Sequence, residues 1–317
     1  MSLSRPRAVV TLDGQKRTSA EGAVLRVSVS LSLGAHDAAE VVISRISKMT
    51  SAAPGSKLEI ALGDTDDEQD VWSGEVSSVL ASADALVIDG LSGTISLSRT
   101  RVSQAYLDQS VGDIVDDLAS GADIDQVSGD TKLSAYNVDD RRTVWSHILD
   151  LAALVGAEVG ASAAGALRFV PVKTGAADVT LRYGADVLAW SSGGAPSPDA
   201  PAVAAFGAGS ESGAEQWHWI RRSPTAAGGS GPLRIVPALH TKDAAEAMSR
   251  ALADRAARAA RRGRLYLIGQ PGLRPGDLID VSDLPDADLG TLRLLTVAHV
   301  IDYRGFFTTV GVEGAGQ

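Results

Sequence analysis

Thr241-Lys-Asp-Ala-Ala-Glu-Ala-Met-Ser-Arg-Ala-Leu-Ala-Asp-Arg-Ala-Ala-Arg-Ala-Ala-Arg-Arg262, closed by Gly263 and followed at once by Arg264-Leu-Tyr-Leu-Ile-Gly269, decides how this chain is read. The first run predicts a helix. Thr241 is suited to the N-cap, Asp243 lies in the first turn, Arg258, Arg261 and Arg262 lie in the last, and a glycine follows, as capping and the helix dipole favour. Ala244, Met248, Ala251, Leu252 and Ala259 share one side at helical spacing, a narrow face of small side chains suited to lie against a sheet. Strand-like runs come next: 264–269, Asp277-Leu-Ile-Asp-Val281, Thr291–Asp302 and Phe306–Glu313. Pro271-Gly272, Pro275-Gly276-Asp277 and Asp302–Gly305 supply the turns between them. The helix therefore delivers the chain into an antiparallel meander.

Working outward, the first hundred residues hold about six short alternating runs, the spacing of a barrel or sandwich. Examples are Ala8-Val-Val-Thr-Leu12, Val24–Leu33, Ala39–Ile46, Ser56–Leu62, Asp70–Leu80 and Ala85–Leu91. Residues 101–165 change character. Ser110 is placed to cap a helix with Asp113 at its third position and Val111, Ile114, Val115 and Leu118 on one face. A second helix is predicted from Thr143 to Val155, ending at Gly156. From Leu167 to Pro237 short strands are interrupted by two side-chain-poor stretches, 191–201 and 226–232, which predict surface loops. The expected fold class is mainly β with an α+β insertion. Two antiparallel β-barrel-like domains, 1–100 and 166–317, flank a small α/β insertion at 101–165, and the linking helix 241–262 belongs to the second.

Several classes of function are disfavoured. Without cysteine there is neither a disulfide framework nor a thiolate metal site. No apolar run of about eighteen residues is present, so membrane insertion is not expected. The start Met-Ser-Leu-Ser-Arg-Pro-Arg7 lacks an apolar signal core, so cytoplasmic synthesis is expected. A net charge of −10 argues against a surface devoted to gripping nucleic acid.

Chemistry-bearing patterns are sparse. Gly209-Ser-Glu-Ser-Gly213 places Glu where a nucleophile elbow needs Ser, and no phosphate-binding glycine loop follows a strand. The five histidines are scattered, and His299 in a β run reads as a packed or surface strand residue rather than a ligand. Asp116-Asp117 and Asp139-Asp140 are adjacent and point apart, which suits a solvated face better than an acid/base pair. No catalytic residue, metal or cofactor is assigned. Asp64, Asp66, Glu68, Asp70 and Glu75 match the oxygen-ligand spacing of a calcium loop. Gln69 stands where that loop needs glycine, however, and the flanks are strand-like, so a solvated hairpin tip is expected and cation binding stays open. Trp217 and Trp219 share one face of an extended chain, either filling a barrel or forming a docking patch.

The order Gly269-Gln-Pro-Gly-Leu-Arg-Pro-Gly-Asp277, Gly290-Thr-Leu-Arg293 and Gly305-Phe-Phe-Thr-Thr-Val-Gly-Val-Glu313, behind the Ala/Arg helix, resembles the closing barrel of the phage late control protein D family. These are baseplate hub proteins of contractile tails, similar to the N-terminal part of the type VI spike protein VgrG. Val71-Trp-Ser-Gly-Glu-Val76, the helix near Tyr106-x-x-x-Ser110 and the Asp139-Asp-Arg-Arg-Thr-Val-Trp145 helix extend the resemblance from about Lys57 to the C-terminus. The resemblance implies a structural protein rather than an enzyme. It would be a homotrimeric ring of pseudo-sixfold barrels that adapts a sixfold tail tube, or tube initiator, to a threefold spike around a central channel. Because no glycine-repeat needle follows Gln317, a separate spike protein is expected. Baseplate wedge proteins and a tape measure or cargo are further expected partners, while sequence-specific nucleic acid is not. Such a protein would assemble in the cytoplasm and end in the baseplate of a phage tail, tailocin or extracellular injection system. Trp217, Trp219, Arg258 and Arg261 are the expected partner-interface residues, with helix 241–262 and the 191–201 loop at subunit contacts. The alternative is a monomeric β-rich module binding carbohydrate or protein, or, less favoured, a peptidoglycan-acting hydrolase.

Overall fold

The computed structural model describes residues 5–45, 52–65, 67–194, 201–205, 208–209, 218–219, 231–236, 238–239, 242–285 and 288–315. In chain order, β1 (Pro6–Leu12), β2 (Gln15–Thr18), β3 (Val24–Ser32), β4 (Ala38–Ser44), β5 (Lys57–Asp64), β6 (Asp67–Ala81) and β7 (Ala85–Ser92) come first. The insertion follows with α1 (Ile95–Arg99), β8 (Gln104–Ser110), α2 (Val111–Leu118), β9 (Ile124–Val127), β10 (Lys132–Val138), α3 (Val144–Val155), β11 (Ala157–Ala161) and β12 (Leu167–Pro171). After it come β13 (Val179–Arg182), β14 (Val187–Gly194), β15 (Pro201–Ala205), β16 (Ala208–Gly209), β17 (His218–Trp219) and β18 (Gly231–Val236). Last are α4 (Lys242–Ala259), β19 (Arg261–Ile268), β20 (Leu278–Ser282), β21 (Leu292–Asp302) and β22 (Gly305–Gly314).

The molecule is mainly β, with antiparallel sheets and few helices. Strands from the two ends of the chain join in one thirteen-stranded sheet, ordered β14-β19-β22-β21-β3-β4-β7-β6-β5-β1-β2, with β20 branching from β21 and carrying β13. The junction is β21 against β3, antiparallel, with Val297 opposite Leu31 and Ile301 opposite Val27. Alternation decides which face goes inward. Val27, Val29 and Leu31 of β3, Val41 and Ile43 of β4, and Val310 and Val312 of β22 are buried, while the residues between them face out. Strand β1 also touches β3 and β21, from which the sheet order separates it, so the sheet curls over its own inner face. Trp72 fills that interior, its ring lying against the backbone of Gly74 and Gly90.

The insertion has its own core, built from α2, α3, β8, β10, β11 and β12 around Ile114, Ile148, Leu151 and Phe169. Both predicted caps are present: Ser110 Oγ accepts from the Asp113 amide at 3.1 Å and Thr143 Oγ1 from the Ser146 amide at 3.3 Å. Helix α4 lies against strands as expected, meeting β15, β19 and β22, but differs from expectation in two ways. Its small residues also pack on the insertion: Ala245 and Met248 are buried in the insertion core, and Ala251 sits over Gly156 at the end of α3, where any side chain would collide with it. The helix also stops at Ala259 rather than Arg262. Residues 261–268 pair with β14 on one side and β22 on the other, and two ladders outweigh one more helical turn. Thr241 lies outside the described residues, as do 195–200 and 226–230 of the two predicted loops.

Insertion and sheet meet closely at Gly165, whose φ of 79° belongs to the left-handed region and whose missing Cβ would lie 2.4 Å from the Ser73 carbonyl oxygen. Gly184 has the same φ of 79° with nothing within 4 Å. Both Gly→Ala changes carry the left-handed penalty of ~1–2 kcal/mol, but Gly165→Ala must also push two backbones apart. It is expected to lower unfolding free energy in urea by ~1–3 kcal/mol more than Gly184→Ala. Equal losses would show that the close approach carries no energetic weight.

Candidate functional site

Four charged side chains from four elements converge where the insertion meets the sheet. Arg293 of β21 is 3% exposed and faces Glu313 of β22, its direct register partner. Its Nη1 donates to Glu313 Oε1 at 2.6 Å and its Nη2 donates to Glu158 Oε1 of β11. Arg258 of α4 brings Nε within 3.4 Å of Glu313 Oε1, an ion-pair distance without a hydrogen bond. Burial pushes the Glu158 carboxyl up from its ordinary range, and Arg293 and then Arg258 pull it back. Two guanidiniums against two carboxylates leave the cluster neutral, and it ties insertion, linking helix and sheet together. The Nε–H groups of Arg258 and Arg293 are nevertheless buried with no hydrogen-bond acceptor among the described residues.

Above this cluster opens a cleft of about 540 Å³. Ala152 and Ala153 of α3 and Ala251 and Leu252 of α4 form one wall, with Leu33 and Leu295 opposite. Arg255 and Arg262 also line it. Of the expected interface residues, Arg258 is therefore engaged within the chain, its side chain only 11% exposed. Arg261 is exposed, its guanidinium reaching the Leu289 carbonyl at 3.5 Å and lying across Gly314. Trp217 lies outside the described residues, and of Trp219 only the backbone is described, paired with Ala208. Glu158, Arg293 and Glu313 were missed by sequence reasoning. Their signal is a charge at an inward strand position, but it becomes legible only once the register sets Arg293 opposite Glu313.

A second polar seam begins at the β3–β4 turn. Asp37, 3% exposed, accepts from the Ser32 amide at 2.9 Å, and burial raises its carboxyl to about 7 against the smaller pull of that bond and of Arg274. Next to it His36 bridges Thr94 Oγ1 at 2.9 Å and Ser98 Oγ at 2.6 Å, with its ring over Trp145 at 4.3 Å. A hydroxyl on an imidazole is the first element of a nucleophile pair, but no carboxylate orients this ring: its other nitrogen meets Thr94, which leads on to Ser92 at 2.8 Å. The arrangement joins the turn, α1 and α3. On the far side Arg274, whose guanidinium is pulled below its ordinary range by burial, donates to the carbonyls of Val71 and Asp70. His299 is fully buried, with Nδ1 at 3.0 Å from Thr308 Oγ1, and burial followed by the Arg274 charge lowers it to about 3.

The remaining sequence candidates are dispersed. Asp64 pairs with Asp67 across the β5–β6 hairpin and Glu68 meets Arg7 at 3.1 Å, so the acidic run is an extended hairpin end; Asp66 lies outside the described residues. No group of three or more His, Cys, Asp or Glu that could hold a metal occurs among the described residues. Asp117 accepts from Tyr106 Oη at 2.7 Å and Asp139 from the Arg141 amide at 3.0 Å, both local structural bonds. On the outer face Tyr266 stacks on Phe307 at 5.4 Å beside the half-exposed Ile268.

Two predictions follow from the charges. Glu158→Gln removes one of the two carboxylates that hold the buried Arg293 and leaves the cluster with a net positive charge, which is expected to cost about 3–5 kcal/mol in urea unfolding; a loss below 1 kcal/mol would mean the cluster does not hold the junction. Asp37 binds its proton more tightly folded than unfolded, so its penalty on folding grows as pH rises from about 4 to 7. His299 does the reverse: its contribution is complete above about 6.5 and is lost as pH falls toward 3. Asp37→Asn is therefore expected to raise stability at pH 7.5 by ~2–4 kcal/mol and to leave it nearly unchanged at pH 3.5. Thermal scans at the two pH values read this directly, and an equal effect at both would refute it.

Comparison with known proteins rests on fold and family. The chain superposes on the 43 kDa tail protein of prophage MuSo2 from Shewanella oneidensis with a TM-score of 0.72 at 14% identity, covering 98% of each chain. The tail protein from Neisseria meningitidis MC58 gives 0.73 at 14%, over 98% of this chain and 96% of that one. The E. coli c3393 protein, a component of the type VI secretion system described as similar to T4 bacteriophage tail proteins gp27 and gp5, gives 0.57 at 14%, over 91% of this chain and 73% of its own. At these identities the likeness is one of fold. No curated protein matches the chain by sequence. Residues 24–197, more than half of the chain, match the family described as the Alg8 N-terminal domain, and the chain belongs to that family.

Proposed function

We propose that this protein is a structural component of a contractile tail or injection machine, the baseplate hub of the late control protein D kind. In this reading three copies close into a ring around a channel, with the tail tube or its initiator on one side, a spike on the other and wedge proteins outside. The observation that carries it is the end-to-end likeness to two phage tail proteins, with 98% of this chain covered in both. Among the described residues no helix is long and apolar enough to cross a membrane, which is compatible with it. The three-part division at residues 100 and 165 is part of the proposal, with the insertion as a separately cored lobe on the shared sheet. So are assembly in the cytoplasm, a final place in the particle, and a role without catalysis.

The interface residues of this reading are Trp217, Trp219, Arg261 and the cleft-facing side of α4 at Arg258. Multi-angle light scattering of the full chain, alone and with the product of the neighbouring gene, tests the stoichiometry. A trimer, or a three-plus-three complex, is the expected result. A monomer under both conditions would move the assignment to a binding module, and six copies would move it to a tube or wedge subunit.

A further inference from the structure

The cleft above the buried charge cluster has a charge opposite to that of the rest of the molecule. The chain carries a net −10, yet four guanidiniums (Arg255, Arg258, Arg262, Arg293) line this cleft against two carboxylates, Glu158 and Glu313. Those carboxylates are already engaged by Arg293 and Arg258. Arg255 and Arg262 are exposed and have no ion-pair partner among the described residues. The buried Nε–H groups of Arg258 and Arg293 lack an acceptor as well. The exposed guanidiniums of Arg255 and Arg262 favour an anionic oxygen in the cleft. Its walls of Leu33, Ala152 and Leu252 are apolar, which suits a peptide better than a hydrated phosphate chain.

The same molecule carries the complement. Residues 64–75 hold six carboxylates and no basic residue. They form the β5–β6 hairpin, on which Asp67, Asp70 and Glu75 are exposed and without an ion-pair partner among the described residues. Neither feature shares a residue with the other, and β5 and β6 lie several strands from β21 and β22 in the sheet. A protein with a basic cleft in one place and an acidic hairpin in another has the two unlike patches that a head-to-tail ring requires, since a closed cyclic assembly repeats one heterologous contact. We propose that the acidic end of the β5–β6 hairpin of one copy enters the Arg255/Arg262 cleft of the next, its carboxylates accepting from the unsatisfied guanidinium donors. The inference rests on the ring reading above and names the contact that closes it. Opposite charges at such a contact speed encounter and exclude wrong registers.

Charge reversal with rescue tests it, by sedimentation of the full chain in the condition under which the wild type assembles. Arg255→Glu with Arg262→Glu is expected to weaken association at least tenfold, and Asp67→Arg with Asp70→Arg to do the same. All four positions are exposed, so each variant keeps the wild-type thermal midpoint. Mixing the two variants makes both contacts between unlike copies complementary, so they associate in alternation while a three-membered ring keeps one repulsive contact, and combining all four changes in one chain restores the ring. If the ring persists in either double variant, or the quadruple variant fails to recover it, the hairpin contact is wrong and the hub reading stands. If a short DNA duplex binds the wild-type chain and loses that binding in Arg255→Glu/Arg262→Glu while ring formation is unaffected, the cleft takes phosphate and the inference is overturned. A wild type that never assembles overturns the ring reading itself.

Discussion

Everything at the centre of this molecule depends on one arginine removed from water. Arg293 is held by carboxylates from two different parts of the chain, one in the insertion and one in the last strand, while a second arginine reaches in from the linking helix. Taking such groups out of water costs several kcal/mol per ion, and an apolar filling of the same space would be no less stable. The ionic solution contributes position. A hydrophobic contact tolerates sliding, whereas a guanidinium with donors in a fixed fork accepts its two carboxylates at one relative placement of insertion and sheet.

The seam around Asp37, His36 and Trp145 works by a different principle. There the groups carry little charge: a carboxyl raised to about 7, an imidazole lowered by burial, and hydroxyls of Ser92, Thr94 and Ser98 bonded in a row through that imidazole. A seam without net charge is little affected by salt, while the cleft, with its excess of guanidiniums, is strongly affected.

Much of this was legible in the sequence. Caps at Ser110 and Thr143, the alternation in β3 and β22 and the turn residues between the last strands are local, and local rules found them. Helix α4 was legible as a helix that lies against strands but not in its contact with α3, because a face of alanines has no preference between a sheet and another helix. Its end at Ala259 was set by pairing with β14 and β22, which no local rule contains. The buried charges were illegible for a related reason: Arg293, Glu158 and Glu313 are unremarkable until the register is known. The acidic run 64–75 is the hairpin expected of it: the register sets Asp64 opposite Asp67 and Gly63 opposite Glu68, so its carboxylates are spread over two strands and both faces, whereas a calcium loop folds its ligands inward.

The pairing of β3 with β21 joins residues some 270 positions apart and sets the order in which the chain can fold. During synthesis the first seven strands emerge with the edge of β3 open, rich in valine and leucine, and its partner does not exist until nearly the whole polypeptide has left the ribosome. Topologies dominated by such distant pairings fold slowly, because loop closure must come before the contacts that repay it. An open apolar edge in the interval is a template for the wrong strand. The insertion, whose core is local except for Leu239, Ala245 and Met248, can begin to form meanwhile, so the nascent chain carries a partly built lobe beside an unfinished sheet.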